Sequence, residues 1–444
     1  MKTINLSGKV ARQRAITNSF CYSPASVNRR AVLKSLGLAA AGAILPTGLS
    51  GGTPLASTPQ TKERHNNANA AKNPSWYGFN LLEYFSTDPD WMKYFPYKDD
   101  GLFLEDDFRW IRDWGFNWVR LPMDYRFWTD PADLLKIKEE KVAPIDRAIR
   151  LGEKYGVHVN ICLHRAPGYC ILDDLNEALT GIHITKENTS VYSDPKTLDA
   201  FVYQWTYFAD RYKGISSDKL SFNLVNEPIV MPTAVETEEL RKAGKTSQEI
   251  FSEIGHRHAG DYTRVARAAI EGIRKHDPQR LIVTDGYNGG TAVIPDLFDS
   301  GVLQSCHTYH PVQLTHYQCE WARGFLTGSE PLPTWPLKRD KGEIIDRAQV
   351  AHTFQPWGEL SAHGVPIHFG EMGCYKHTPP EVVLSWFDDT LGVLGDLQTG
   401  WALWNFRGPF GVLDTERPGT KYKDWHGHQL DSALLNLLQK KVKA

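Results

Sequence analysis

The chain has 444 residues, of which 41% are hydrophobic and 23% are charged, and such a composition excludes a mainly disordered protein. Its 50 basic and 52 acidic side chains give a formal net charge of -2, so no large basic excess is available to attract nucleic acid or an anionic membrane. Six cysteines without a Cys-x-x-Cys pair exclude a disulfide scaffold and argue against a structural zinc site.

The beginning of the chain has the layout of an export signal. Arg29 and Arg30 precede an apolar stretch over residues 35–45 that is too short and too rich in Gly and Ala to be a good membrane span. Adjacent arginines before a mildly apolar run resemble a twin-arginine signal, although an N-terminal helix of the folded domain is the alternative. We predict export to the periplasm or outside the cell, and three parts of the chain: a signal peptide over residues 1–56, a polar linker over 57–73 and one domain over 74–444.

Removal of the signal peptide would also remove Cys21 and leave five cysteines, an odd number. At least one of the five is then a free thiol or pairs between chains.

From residue 76 onward, short β-type runs alternate with stretches that have the period of an amphipathic helix. The eight candidate strands are residues 76–85, 117–124, 157–164, 220–226, 280–285, 303–309, 366–371 and 400–405. The candidate helices are residues 104–114, 143–155, 198–212, 261–275, 344–363, 381–394 and 430–438.

A strand, a turn and a helix repeated in this way are typical of a (β/α)8 TIM barrel, an α/β fold that forms one large domain. The alternative is a doubly wound open sheet, which usually begins with a glycine-rich phosphate-binding turn after its first strand. No such turn follows the first candidate strand. We therefore predict a (β/α)8 barrel with a single domain.

Chemically useful side chains recur where the candidate strands end, which is where barrel enzymes place their catalytic groups. Each of them alone has an ordinary explanation, such as a structural histidine, a surface carboxylate or a core tryptophan. Their common position at strand ends indicates one site. The candidates are Arg120, His164, Asn226, Glu227, His307, Tyr309, Glu371 and Trp404.

Two of these strand ends carry the motifs of a known family. Asn226-Glu227-Pro228 resembles the acid/base motif of glycoside hydrolase family 5, the large cellulase family of the retaining barrel clan A, and Gly370-Glu371-Met372-Gly373 resembles its nucleophile motif. The resemblance covers about residues 76–440 and finds a counterpart for every polar position that the family uses.

The resemblance implies a retaining mechanism with two carboxyl groups, in which Glu371 is the nucleophile and Glu227 the acid/base. The supporting residues have implied roles as well. Arg120 and the Tyr309 hydroxyl favour the ionised form of Glu371, and His307 orients Glu227. Asn226 reaches the sugar 2-hydroxyl, His164 meets a neighbouring hydroxyl, and Trp404 forms the floor of the cleavage subsite. No metal and no organic cofactor is needed.

Four further residues bear on the shape of the predicted site. Arg165 stands where relatives often carry a small residue, so the substrate edge beside the third strand is expected to be altered, and Met372 stands where an aromatic residue is common. Trp321 and Trp335 belong to a long loop after the sixth strand, and long loops of this kind shape the cleft. Each tryptophan is either a distant sugar subsite or an anchor that packs the loop.

The function implied is cleavage of β-glycosidic bonds in a polysaccharide or oligosaccharide, with endo-β-1,4-glucanase as the leading specificity. Mannanase, xylanase, β-1,3-glucanase and exo-glycosidase activities stay open. A carbohydrate-binding barrel without catalysis would usually lack one carboxylate, and a metal-dependent barrel hydrolase would need a His-x-His at the first strand, where the chain has Asn80, Leu81 and Leu82. We expect a monomer without nucleic-acid partners and without a membrane span in its mature form.

Overall fold

A computed structural model describes residues 72–92, 102–171, 190–230, 234–245, 247–322, 326, 328–339 and 342–443. The predicted signal peptide and all but the last two residues of the predicted linker lie outside the described residues. The last linker residue, Asn73, is buried: its Nδ2 donates to Ser361 Oγ at 2.9 Å, and its Oδ1 accepts from the Ile367 N–H at 2.9 Å. In the part of the chain that is described, no helix is long and apolar enough to cross a membrane.

Eight parallel strands close into a barrel in chain order, which confirms the predicted (β/α)8 fold. The ring closes because β1 pairs with both β2 and β8. All eight predicted strands are present, with shifts of a few residues at their ends. Their bounds are Tyr77–Asn80 (β1), Trp118–Asp124 (β2), His158–Arg165 (β3), Leu220–Asn223 (β4), Leu281–Asp285 (β5), Leu303–Thr308 (β6), Ile367–Met372 (β7) and Trp401–Leu403 (β8).

Among the described residues, every barrel strand except β5 is followed by a main α-helix, which makes seven. They are Glu105–Asp113 (α1), Glu139–Tyr155 (α2), Pro195–Arg211 (α3), Ser247–His276 (α4), Arg347–Ala362 (α5), Pro380–Asp396 (α6) and Ser432–Lys443 (α7). Between β5 and β6 the described connection carries the short 3-10 helix Pro295–Ser300 in place of a long α-helix.

Local sequence signals fix several helix ends. The Asp194 side chain accepts a hydrogen bond from the Lys196 N–H at the start of α3, and Asp346 accepts from the Gln349 N–H at the start of α5. Such caps satisfy N–H groups that have no partner inside the helix. Gly156 ends α2 in the left-handed conformation that favours glycine.

Further elements lie in the connections between these strands and helices. The helical ones are Pro89–Met92, Tyr125–Phe127, Ala234–Lys242, Tyr287–Gly290, Val312–Thr315 and Glu320–Ala322. Three two-stranded sheets pair Thr129–Asp130 with Asp133–Ile137, Leu337–Lys338 with Ile344–Ile345, and Lys423–Trp425 with His428–Leu430.

The core lies inside the barrel and between the barrel and its helices. Every residue of β2, β3, β6 and β7 is buried, as expected for strands covered on both faces. Tryptophans account for much of this core, since Trp118, Trp205, Trp357, Trp386 and Trp401 are fully buried. The five cysteines that the structure describes are buried free thiols.

Candidate active site

The polar residues predicted from the strand ends lie together at the carboxyl edge of the barrel. Because the strands are parallel and point the same way, residues distant in sequence meet at this edge. Arg120 lies in β2, His164 in β3, His307 in β6 and Glu371 in β7, while Asn226, Glu227, Tyr309 and Trp404 follow the ends of β4, β6 and β8.

Glu371 is held at both carboxylate oxygens. Arg120 Nη1 donates to Glu371 Oε1, and the Tyr309 hydroxyl donates to Oε2 at 3.0 Å. The pairing of β7 with β6 is irregular between Phe369 and Glu371, and such a bulge re-aims the side chain that follows it. The carboxylate is 3% exposed and carries two donors, so its orientation is fixed before any ligand arrives.

Arg120 connects the site to the barrel interior. Its guanidinium is 1% exposed and is shared among side chains of five other strands or strand ends. Besides Glu371, its partners are Asn80 Oδ1 at 3.0 Å, Asn223 Oδ1 at 2.8 Å, Asn226 Oδ1 at 2.8 Å, Asp285 Oδ2 at 3.2 Å and Cys162 Sγ at 3.1 Å. Burial opposes the charge, but the surrounding acidic groups raise the pKa of Arg120 above its ordinary value.

Glu227 has an unusual backbone for a residue with a side chain. Its φ is +47°, in the left-handed region, and two contacts hold it there. Its N–H donates to Asp285 Oδ2 at 3.1 Å, and its carbonyl accepts from the Tyr169 hydroxyl at 2.6 Å. Burial raises the pKa of Glu227, the nearby charge of Glu371 adds to this effect, and the hydrogen bond from His307 opposes it.

His307 joins the two carboxyl groups. Its Nδ1 lies 2.9 Å from Glu227 Oε1 and 3.5 Å from Glu371 Oε1, and its Nε2 lies 3.2 Å from Asp285 Oδ2. Burial alone would lower the pKa of His307, but the negative charges of Asp285 and Glu371 raise it to about 10. The charges around the ring therefore favour its imidazolium form at neutral pH.

Side-chain atoms of Glu227, His307 and Glu371 lie within 4.8 Å of one another, which is also the spacing of a metal site. The geometry fits proton handling better, because these atoms already bond to each other and to Arg120 and Tyr309. An imidazolium has no lone pair to offer a metal.

The remaining predicted residues, Asn226, His164 and Trp404, are also buried. The Asn226 oxygen accepts from Arg120, so its NH2 group is the end left to donate to a ligand. His164 stacks on Trp404 with ring centroids 5.5 Å apart, and Phe85 packs edge-on against both rings. Burial and the charge of Arg120 lower the pKa of His164, so this imidazole is neutral and able to accept or donate.

Asp285 and Tyr169 also belong to the site but were not among the predicted residues, although the position of Asp285 is a signal in the sequence. Asp285 ends the fifth strand, in the same position as the other site residues, and its carboxylate is fully buried. Tyr169 lies in the loop after β3, and its hydroxyl donates to the Glu227 carbonyl. No sequence motif predicts this contact.

The two departures from the family pattern are both buried. Arg165 is 2% exposed, and its Nε lies 3.8 Å from Asp124 Oδ2. Met372 is fully buried at the end of β7.

The two loop tryptophans have different surroundings. Trp335 donates its Nε1–H to Asp389 of α6 at 2.8 Å, so it anchors the loop against the outside of the barrel. Trp321 packs edge-on against Tyr375 at 5.1 Å and lies in the same apolar cluster as Trp404. Of the pair, Trp321 is therefore the one that belongs to the same cluster as the predicted site residue Trp404.

Comparisons with known proteins agree with this geometry. The family model Cellulase (glycosyl hydrolase family 5) matches residues 68–408. Cellodextrinase A from Ruminococcus flavefaciens is 24% identical over 304 residues, covering 67% of this chain and 77% of that protein. Endoglucanase C from Acetivibrio thermocellus is 22% identical over 330 residues, covering 69% of this chain and 85% of that protein. A solved structure described as a glycoside hydrolase is similar with a TM-score of 0.68 and 33% identity, over 82% of this chain and 99% of that chain.

Proposed function

The chain belongs to glycosyl hydrolase family 5 and is an O-glycosyl hydrolase, and from this premise we propose that it is a retaining endo-β-1,4-glucanase with Glu371 as nucleophile and Glu227 as acid/base. The observation that carries the proposal is the closeness of the two carboxyl groups, since one oxygen of each lies within 4.8 Å of the other. Retaining enzymes hold their carboxyl groups about 5–5.5 Å apart, whereas inverting enzymes leave about 6.5–9.5 Å for a water molecule.

In the first step, a carboxylate oxygen of Glu371 bonds to the anomeric carbon while the bond from that carbon to the leaving sugar breaks. Glu227 gives its proton to the departing oxygen. Arg120 and Tyr309 hold the nucleophile in place and favour its charged form. The raised pKa of Glu227 keeps the proton available at working pH.

In the second step, water attacks the anomeric carbon, the bond from that carbon to Glu371 breaks and restores the carboxylate, and Glu227 accepts the proton of the water. In the ester Glu371 carries no negative charge. Because that charge is one of the causes that raise the pKa of Glu227, the pKa now falls and Glu227 can act as base. The product keeps the configuration of the substrate after two inversions.

The glucan specificity is supported by the names of the relatives, cellodextrinase and endoglucanase, and by a site floor made of the stacked His164 and Trp404 rings. Flat aromatic rings suit the apolar faces of sugars. An exo-acting cellodextrinase is the second candidate, favoured by the first of these names.

We expect the purified chain to cut carboxymethyl cellulose internally, because the relatives named endoglucanase support that mode of action. Viscosity should fall steeply while few reducing ends appear, and proton NMR of a fresh cellopentaose digest should show the β-anomer first. Mannan, xylan and β-1,3-glucan serve as competing substrates, and a Glu371→Ala chain controls for contaminating enzymes. Slow viscosity loss with steady cellobiose release would favour the exo-acting candidate, and an α-anomer appearing first would reject the double displacement.

We also propose export of the folded enzyme through the twin-arginine route, supported by Arg29 and Arg30 before the apolar run. In a bacterium with that route, replacement of both by Lys should reduce the periplasmic enzyme to background, because the receptor reads the paired guanidinium groups. Activity assays of the separated periplasmic and cytoplasmic fractions measure how much enzyme is exported. The control replaces Arg12 and Arg14 by Lys and should leave export intact. Equal export of both double variants would contradict the proposal.

A further inference from the structure

Asp285 contacts several parts of the catalytic array and has no role in the reaction proposed above. Its Oδ2 accepts from Arg120 Nη2 at 3.2 Å and from the Glu227 N–H at 3.1 Å. The same oxygen lies 3.2 Å from His307 Nε2, and Oδ1 accepts from Asn223 Nδ2 at 2.9 Å. One fully buried carboxylate thus contacts the partner of the nucleophile, the backbone of the acid and the ring that bonds to the acid.

The His307 ring faces a carboxyl group at each of its nitrogens, Glu227 at Nδ1 and Asp285 at Nε2. The Asp285 carboxylate lies within ion-pair distance of Nε2, at 3.2 Å, so its negative charge stabilises a proton on that nitrogen. His307 and Arg120 hold the pKa of Asp285 at about 2 against the effect of burial, so Asp285 is charged at every relevant pH. The arrangement favours a ring that is protonated at both nitrogens.

The ring has little freedom to leave this position. A Cβ on Gly290 would lie 2.7 Å from His307 Cβ, and a Cβ on Gly370 would lie 3.5 Å from His307 Nε2. The charged and titratable groups around the ring come from several strands of the barrel and from the end of β6 itself, and they are Arg120, His164, Glu227, Asp285, Tyr309, His368 and Glu371. Asp285 and Glu371 are the negative charges among them, and Glu371 loses its charge when it becomes an ester.

We propose that Asp285 is a positioning residue that keeps His307 a cation with its Nδ1–H on Glu227 Oε1, and thereby fixes the proton of Glu227 on Oε2. This inference rests on the proposed function, because it assigns a direction to the proton that Glu227 transfers. A neutral ring protonated only at Nε2 would accept at Nδ1, and the Glu227 proton would then turn toward the ring and away from the leaving sugar.

The proton balance follows from this assignment. In the first step the proton moves from Glu227 Oε2 to the leaving oxygen, and in the second step a proton from water returns to Oε2. His307 keeps both of its protons throughout. During the second step Glu371 is neutral, so Asp285 is the remaining negative charge that holds the ring as a cation beside the Glu227 carboxylate.

We therefore expect Asp285→Asn to slow the second step more than the first. On 2,4-dinitrophenyl β-cellobioside, whose leaving group needs no proton, kcat/KM should change less than threefold, while kcat falls about 10²-fold, the lower end of a general acid–base contribution. KM should fall with kcat because glycosyl-enzyme accumulates. Azide should restore kcat, since it attacks the ester without a base. The acid limb of kcat should move to higher pH, because the Glu227 carboxylate has lost its cationic neighbour.

The charge of the ring can be measured without any activity. Nitrogen NMR of the chain labelled with 15N-histidine should show both His307 nitrogens protonated in the wild type from pH 6 to at least pH 9. In Asp285→Asn, one nitrogen should be unprotonated at pH 8. A His307→Gln chain identifies the signal by its loss. The matched control is Asn223→Ala, which removes the hydrogen bond to Asp285 but leaves the charge, and its His307 should stay a cation.

Two results would overturn the inference. One is a wild-type His307 that titrates near its ordinary pKa, a measurement that needs no variant to fold. The other is an Asp285→Asn enzyme whose kcat and kcat/KM fall equally, with no effect of azide and an unchanged pH profile, as expected for general structural damage. A wild type that cleaves no glycoside would defeat the proposed function alone, because the NMR result would still decide the state of His307.

Discussion

Replacement of Glu371 by alanine should lower kcat/KM by roughly 10⁴-fold or more, on polysaccharide and on dinitrophenyl glycosides alike, because the covalent step loses its nucleophile. A better leaving group cannot compensate, since no other group is held by Arg120 and Tyr309 at that position. Steady-state rates on both substrates measure the effect, together with mass spectrometry for the glycosyl-enzyme, which should not form.

The Glu371→Ala chain should still fold, because Arg120 keeps hydrogen bonds to Asn80, Asn223 and Asn226. Glu381→Ala is a matched control, since it removes the same side chain from an exposed position at the start of α6. It should leave activity unchanged, as surface substitutions usually do. Retention of more than one hundredth of the wild-type rate by Glu371→Ala, on either substrate, would remove Glu371 from the role of nucleophile.

The charges of the array explain why one of its carboxyl groups must hold a proton. Arg120 and His307 supply two buried positive charges, and Glu371 and Asp285 supply two negative ones. A third carboxylate at Glu227 would leave a net negative charge in a buried site, where an uncompensated charge is costly. Formation of the ester removes one negative charge, and Glu227 can then ionise. The acid and base roles of Glu227 thus follow from counting charges.

Much of this fold could be predicted because its signals are local. Each strand is a short buried run, and most helices have a visible apolar period, so the eight strands and six of the seven predicted helices were placed to within a few residues. Helix α4 was predicted to begin at residue 261 but begins at Ser247. Its first turns are mostly polar, and a tertiary contact between Leu240 and Ile254 supports them instead of a continuous apolar stripe.

The site residues also fall into two groups, those that a local motif predicts and those whose contacts depend on the folded structure. Residues in recognisable strand-end motifs, such as Glu227 and Glu371, could be named from sequence. The contacts of Asp285 depend on the strand order of the folded sheet, which sets β5 between β4 and β6 and brings its carboxylate to His307 and to the Glu227 backbone. Tyr169 could not be found because a single hydroxyl, positioned by a loop, makes the contact.

Replacement of Glu227 by alanine should have an effect that depends on the leaving group. A sugar departs as a poor alkoxide and needs a proton, so cleavage of polysaccharide should fall by about 10²–10⁴-fold. A dinitrophenolate departs without a proton, so the first step on the aryl glycoside should be largely spared. The second step still lacks its base, and glycosyl-enzyme should accumulate in a burst followed by slow turnover.

The response to azide and the pH profile distinguish loss of the acid/base group from general structural damage by the Glu227→Ala substitution. Azide needs no base, so it should speed turnover of Glu227→Ala on the dinitrophenyl substrate and give a β-glycosyl azide, while the wild type should be little affected. The wild-type kcat/KM on polysaccharide should fall as pH rises through the raised pKa of Glu227, because only the protonated acid works, and this alkaline limb should be absent from Glu227→Ala. If Glu371→Ala instead spares the activated substrate and Glu227→Ala does not, the two glutamates have exchanged roles, since only the acid can be replaced by a better leaving group.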